Sequence, residues 1–99
     1  MKTLDIKALE WFDKVNGNSY FSALVTVDYG MDTESTIKLP FQYGYGDHYI
    51  DMADKALVKA GFIPETSYHL TNWCRENKVI LRYHIMHNCK QREVKNLVS

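Results

Sequence analysis

The hydrophobic positions of this chain change period along its length. Residues 19–29 alternate, with Phe21, Ala23, Val25, Val27 and Tyr29 on one side and Tyr20, Ser22, Leu24, Thr26 and Asp28 on the other. That period of two predicts a strand whose first set faces a core. Residues 36–41 predict a further strand, with Ile37, Leu39 and Phe41 on a shared face. Pro40 has no N–H for a ladder, so this strand lies at a sheet edge or ends there. From 47 to 60 the period becomes helical. Ile50, Ala53, Leu57 and Ala60 recur, supported by Tyr49 and Ala56, while Asp51, Asp54, Lys55 and Lys59 fill the polar face. Gly61 and Pro64 end that helix, and Phe62 and Ile63 between them turn back to the core. Residues 67–77 predict a short second helix with Leu70, Trp73 and Cys74 as its stripe and Thr66 or Ser67 as its cap. Residues 78–87 alternate again. Val79, Leu81, Tyr83, Ile85 and His87 share one face, and Ile80, Arg82, His84 and Met86 the other. In the tail, Val94, Leu97 and Val98 are the anchors.

Residues 4–15 fit two patterns. Leu4, Ala8, Trp11, Phe12 and Val15 share a helical face, while Leu4, Ile6 and Ala8 alternate as in a strand. Asn16-Gly17-Asn18 follows, and Asn and Gly accept the positive φ of a hairpin turn. A hairpin needs a strand before it, which favours a strand over 9–15 and allows a helical turn upstream. The predicted fold is α+β in one domain, residues 1–99. It is a small antiparallel sheet with two helices packed on one face, in the order β-β-β-α-α-β.

Between the third strand and the first helix lies Pro40-Phe41-Gln42-Tyr43-Gly44-Tyr45-Gly46-Asp47-His48-Tyr49. Glycines reach backbone angles that other residues avoid. Asp47 stands where an N-cap would accept from the free N–H groups of the first turn. The candidate binding residues are therefore Tyr20, Tyr43, Gly44, Tyr45, Gly46, Asp47, His48 and Tyr49. Tyr43 to Tyr49 are expected beside the main concavity, with Gly44 or Gly46 at positive φ. Aromatic residues of this kind dominate interface hot spots, although Trp11 is better read as core, and Tyr20 and Tyr45 fit a core and a surface role equally. A turn before a helix N-terminus also suits a small phosphorylated ligand.

Composition narrows the chemistry. Lys and Arg number 12, as do Asp and Glu, so no general attraction to nucleic acid is built in. The charge is uneven, with six Lys against nine acids up to Pro64 and six Lys and Arg against three Glu after it. Arg82, Lys90, Arg92 and Lys95 are thus an alternative, basic surface for nucleic acid. His84, His87, Cys89 and Cys74 carry zinc-ligand chemistry, but strand parity separates His84 from His87 and no C-x-x-C is present. No metal and no cofactor are predicted. Asp47, His48 and Asp51 resemble a general-base set, yet no nucleophile or paired acid accompanies them. Tyr43-Gly44-Tyr45-Gly46 lacks the endings of a dinucleotide or P-loop fingerprint. No catalytic residue is assigned. Two cysteines make no disulfide framework and are read as reduced, which suits the cytosol. Residues 1–6 lack the apolar run of a signal peptide, and no stretch has the length of a membrane span.

Trp11-Phe12-Asp13-Lys14, Asn16-Gly17-Asn18-Ser19-Tyr20 and Pro40-Phe41-Gln42-Tyr43-Gly44-Tyr45-Gly46-Asp47 resemble a family of small uncharacterised bacteriophage and prophage proteins. In that family a W-F-x-K segment runs into G-N-[ST]-Y, and a valine-rich strand leads to P-F-x-Y-G-Y-G-[DE] and a helix. The resemblance covers about residues 9–60 and supplies no catalytic residues. It implies an accessory protein of the bacterial cytoplasm that engages and modulates or inhibits a host protein or complex, with anti-CRISPR and other counter-defence roles among the expectations.

Overall fold

The computed structural model describes residues 1–99. Its elements are β1 (Thr3–Asp13), β2 (Asn18–Val27), β3 (Ser35–Tyr43), α1 (His48–Lys59), α2 (Leu70–Glu76), β4 (Ile80–Met86) and α3 (Gln91–Leu97). The fold is α+β, with a four-stranded sheet in the order β3-β2-β1-β4. The sheet is mixed rather than wholly antiparallel. β1–β2 and β2–β3 run antiparallel, but β4 pairs with β1 in parallel. The physical reason is the connection. A chain that leaves β3 at one edge and crosses through α1 and α2 can enter beside β1 in the same direction, as parallel pairing requires.

The strand alternative for the N-terminal segment is the one adopted, and it starts earlier than the hairpin signal alone required. β1 gains a neighbour on each side. Leu4, Ile6 and Ala8 face the core opposite Val27, Val25 and Ala23, and no helical turn precedes them. In the turn to β2, Gly17 sits at φ +71°. The Asp13 carboxylate accepts from the Val15 and Asn16 amides.

One sheet face carries the core. Phe21, Ala23, Val25 and Val27 of β2 and Leu39 of β3 meet Tyr49, Ile50, Ala53 and Leu57 of α1 and Leu70 and Cys74 of α2. Each larger apolar side chain there contributes roughly 1.5–3 kcal/mol on burial. α2 begins at Leu70, later than the sequence suggested. Its cap is His69, whose Nδ1 accepts from the Thr71 amide, while Thr66 Oγ1 accepts from Tyr68. Tyr29 is exposed rather than in the core, because β2 ends at Val27 and Asp28 turns the chain at φ 53°.

The second face is partly covered by α3, an element absent from the sequence-based order. Asn88 takes φ 61° after β4, and the chain crosses to the far side of the sheet. There Val94 is buried, and its carbonyl accepts from the Ser22 hydroxyl. Ser22, expected on the wet face, is consequently buried. None of the helices is long and apolar enough to cross a membrane.

Asp28 ties the sheet margin together. Its carboxylate accepts from the Lys2 amide at 2.6 Å, the Thr3 amide at 3.2 Å and the Thr33 hydroxyl at 2.9 Å. Donation by the Lys2 amide, then by Thr33, holds this carboxyl below its usual value of 3.8. A depressed folded-state pKa stabilises the fold above the unfolded value, and that contribution is lost as pH falls through the lower, folded one. Asn tolerates positive φ, so Asp28→Asn removes the charge and leaves the turn. We expect this variant to show a lower urea midpoint than wild type at neutral pH. The deficit should narrow below pH 3.8 in parallel denaturation series.

Candidate functional site

The site is made where β3 turns into α1. Between β2 and β3 the register slips by one residue, so that Phe21 to Ala23 lies opposite Gln42 to Leu39. The extra residue on β3 is a bulge at Pro40 and Phe41. β3 is an edge strand, as its proline predicted. The bulge reverses the side on which Phe41 projects. Instead of joining Leu39 in the core, Phe41 stacks on Tyr20 of the second face, with centroids 5.2 Å apart and planes 4° from parallel.

A run of aromatic rings follows from this. Trp11 stacks on Tyr20 at 5.6 Å. Tyr43 meets Tyr20 edge-on at 5.9 Å, and Tyr45 meets Tyr43 edge-on at 6.5 Å. The Lys95 ammonium, from α3, lies 5.1 Å above the Phe41 ring. Trp11 is therefore half-buried in this surface stack and not a core residue. Phe41 and Trp11 were missed as surface residues. The signal that could have found Phe41 was Pro40, because a proline inside a strand marks a bulge as well as an edge.

The two glycines serve different ends. Gly46 is at φ +59° in a turn closed by donation from the His48 amide to the Tyr45 carbonyl. Gly44 is buried, and its amide donates to the Ser19 carbonyl at 3.0 Å. A Cβ at position 44 would stand 2.5 Å from His48 Cδ2 and 2.7 Å from Phe21 Cε1. Only a residue without a side chain lets the strand end this close to the core.

Asp47 precedes α1 but does not cap it through its side chain. Its φ of −87° and ψ of 9° depart from the extended conformation from which a cap side chain reaches back. Its carbonyl accepts from the Ile50 amide instead. Tyr49 is the other correction. At 2% exposure it belongs to the core, where burial raises its phenol pKa, with Asp47 and Tyr83 adding to the shift. It is no surface contact.

Tyr43, Gly44, Tyr45, Asp47, His48 and Asp51 line an open recess of about 490 Å³, larger than the other surface recesses. Tyr43 is 55% and Tyr45 69% exposed. Two carboxylates and no lysine or arginine line it. That charge opposes a phosphorylated ligand, and two amides of the helix start are already engaged internally. His48 packs edge-on against Phe21, while Asp51 lies 3.7 Å from His69. Each is thus turned to a different neighbour.

Other candidate sets are dispersed. Arg82 is held by Asp5 through two contacts, at 2.7 and 3.0 Å. It lies on β4, at the opposite edge from β3, where Lys95 covers Phe41. Lys90 starts α3, its amide bonded to Glu93, and Arg92 is exposed on that helix. Arg82 and Lys95 are thus each engaged within the chain, one by a carboxylate and the other by an aromatic ring. His87 contacts Glu10 at 2.9 Å, and His84 projects to the other face of β4. Cys74 is buried, and burial, with Asp54 beside it, pushes its thiol up to about 11. Cys89 is a second free thiol, directed at the Met86 carbonyl. No three His, Cys, Asp or Glu side chains converge as a metal site would require.

Three substitutions separate the roles in this junction. Gly44→Ala must displace Phe21 or His48 and is expected to cost about 1–3 kcal/mol. Gly46→Ala meets no atom within 4 Å and is expected to cost about 1 kcal/mol through its left-handed backbone. Asp47→Ala removes no cap bond and is expected to stay within about 0.5 kcal/mol of wild type. Urea unfolding of the three variants checks this order. Set against known proteins, the chain matches no protein-family model, no curated protein and no solved structure.

Proposed function

We propose that this chain works by binding a partner protein, with the aromatic surface around Tyr43 and Tyr45 as its contact. The observation that carries the proposal is the pairing of exposure with restraint. Both rings are more than half exposed, yet they stand in a braced series, Tyr45 against Tyr43 and Tyr43 against Tyr20. Rings held in this way have little side-chain entropy left to lose on docking. Tyr and Trp at the centre of an interface carry a large share of binding energy. A general acid–base role has less support, since His48 and Asp51 each face a different neighbour.

The partner class comes from the resemblance to small bacteriophage and prophage accessory proteins. It points to a protein or complex of a bacterial host, met in the host cytoplasm. The outcome for that partner is modulation or inhibition, counter-defence included. Two free cysteines support a reducing compartment. The nucleic-acid alternative is weaker because two of its four cations are already engaged within the chain, Arg82 by Asp5 and Lys95 over the Phe41 ring.

Affinity capture from host lysate tests the proposal, with wild type and a Tyr43→Ala/Tyr45→Ala double variant as bait. Neither ring is in the core, so the double variant is expected to fold, which circular dichroism verifies. We expect wild type to retain a host protein. The double variant should bind it about thirtyfold more weakly, equivalent to a ~2 kcal/mol hot spot. Equal retention by both baits, or none above a scrambled-surface control, contradicts the proposal.

A further inference from the structure

We infer that the recess at the start of α1 receives a basic side chain, an arginine or lysine presented by the partner. This deepens the proposed function and rests on it. The reasoning begins with charge. Asp47 and Asp51 line the recess, and neither is paired with a lysine or arginine of this chain. The contrast lies on the second sheet face. There Asp5 lines a recess of about 350 Å³, but Arg82 of the same chain already neutralises it. At the α1 recess no lysine or arginine of the chain plays that part, and the one basic neighbour is His69, whose Nε2 lies 3.7 Å from Asp51.

The walls add a second term of the same sign. Tyr43 and Tyr45 stand with their planes 72° apart, so the two rings offer differently oriented surfaces to one guest. The π-face of a tyrosine is negative and attracts an ammonium or guanidinium within about 6 Å of its centroid. Phe41, in the same ring series, already shows such a contact with Lys95. A guanidinium suits these walls well, because it is planar, stacks on aromatic faces and forks onto carboxylates. The lysine or arginine stem meets the rings, and the charged head meets the acids. An anionic group would be repelled by both features.

The test is an NMR titration of the isotopically labelled full chain at low salt. The probes are N-acetyl-arginine amide and N-acetyl-lysine amide, with N-acetyl-glutamate amide and inorganic phosphate as anionic counterparts. Saturable shifts are expected for both cationic probes at the amides of Gly44, Tyr45, Gly46 and His48, and none for the anions. Tyr45→Ala and Asp51→Asn should each weaken the arginine probe about two- to fivefold. Asp32→Asn, on the β2–β3 connection, should not. No saturable shift with the cationic probes, or shifts of equal size with the anionic ones, overturns the inference. If the cationic probes fail while the double tyrosine variant still loses the captured protein, the cation site falls and the proposed function stands. If the probes bind while that variant retains its partner fully, the proposed function falls and the cation site stands.

Discussion

The approach of the Gly44 backbone to the ring of Phe21 sets the arrangement of this molecule's most distinctive surface. Phe21 is the largest of the side chains buried to this degree, with 1% exposure. A strand that must end against it has no room for a Cβ, and the His48 ring fills the remaining space from the helix side. Three consequences follow from one missing side chain. β3 stops at Tyr43, α1 starts at His48, and the intervening turn is short enough to need the positive φ of Gly46. Tyr45 and the carboxylates of Asp47 and Asp51 then converge on one recess. The tyrosines gain their placement from a packing constraint in the core beneath them.

The bulge in β3 completes that surface from the other side. One extra residue transfers Phe41 from the core face to the second face. The core does not suffer for it, since Leu39 and Tyr49 are buried there. On the second face Phe41 closes a stack with Tyr20 and Trp11. α3 then covers part of that face, anchored by Val94 and the Ser22 hydroxyl bond. The sheet thus has a helical layer on one side and a short helix beside an aromatic series on the other.

Local periodicity was enough for much of this. The alternation from Phe21 to Val27, the Asn16-Gly17 turn, the α1 stripe from Ile50 to Leu57 and the stop at Gly61 are all short-range signals, and all hold, while Ala60, expected in that stripe, is the exposed C-cap. The α+β class and the element order as far as β4 follow from them. Pairing over long distances was not legible in the same way. The parallel entry of β4 beside β1 depends on where the helical layer lets the chain return. Val94, Leu97 and Val98 read as anchors, yet seven residues of α3 carry too few periods to announce a helix. At the site, the positive φ of Gly46 was readable from local chemistry, while Tyr45 fitted a core and a surface role equally until the fold exposed it. Tyr49 holds as part of the α1 stripe but not as a binding residue, because the first turn of the helix faces inward. The cap at Asp47 failed because composition names a capable residue but not its backbone angles. Phe41 failed because a bulge inverts parity without changing the sequence pattern.

The proposed function rests on an exposed aromatic surface beside carboxylates that no lysine or arginine of the chain neutralises. That makes a directional claim about which part of the molecule a partner covers. Hydrogen-exchange mass spectrometry, on the free chain and on the chain bound to its captured host protein, tests the claim most directly. Binding that shields backbone amides slows their exchange locally. The account predicts protection concentrated in peptides from residues 41–51, with β4 and α3 unchanged. Protection confined to residues 80–97, with the junction exchanging as in the free protein, would contradict it.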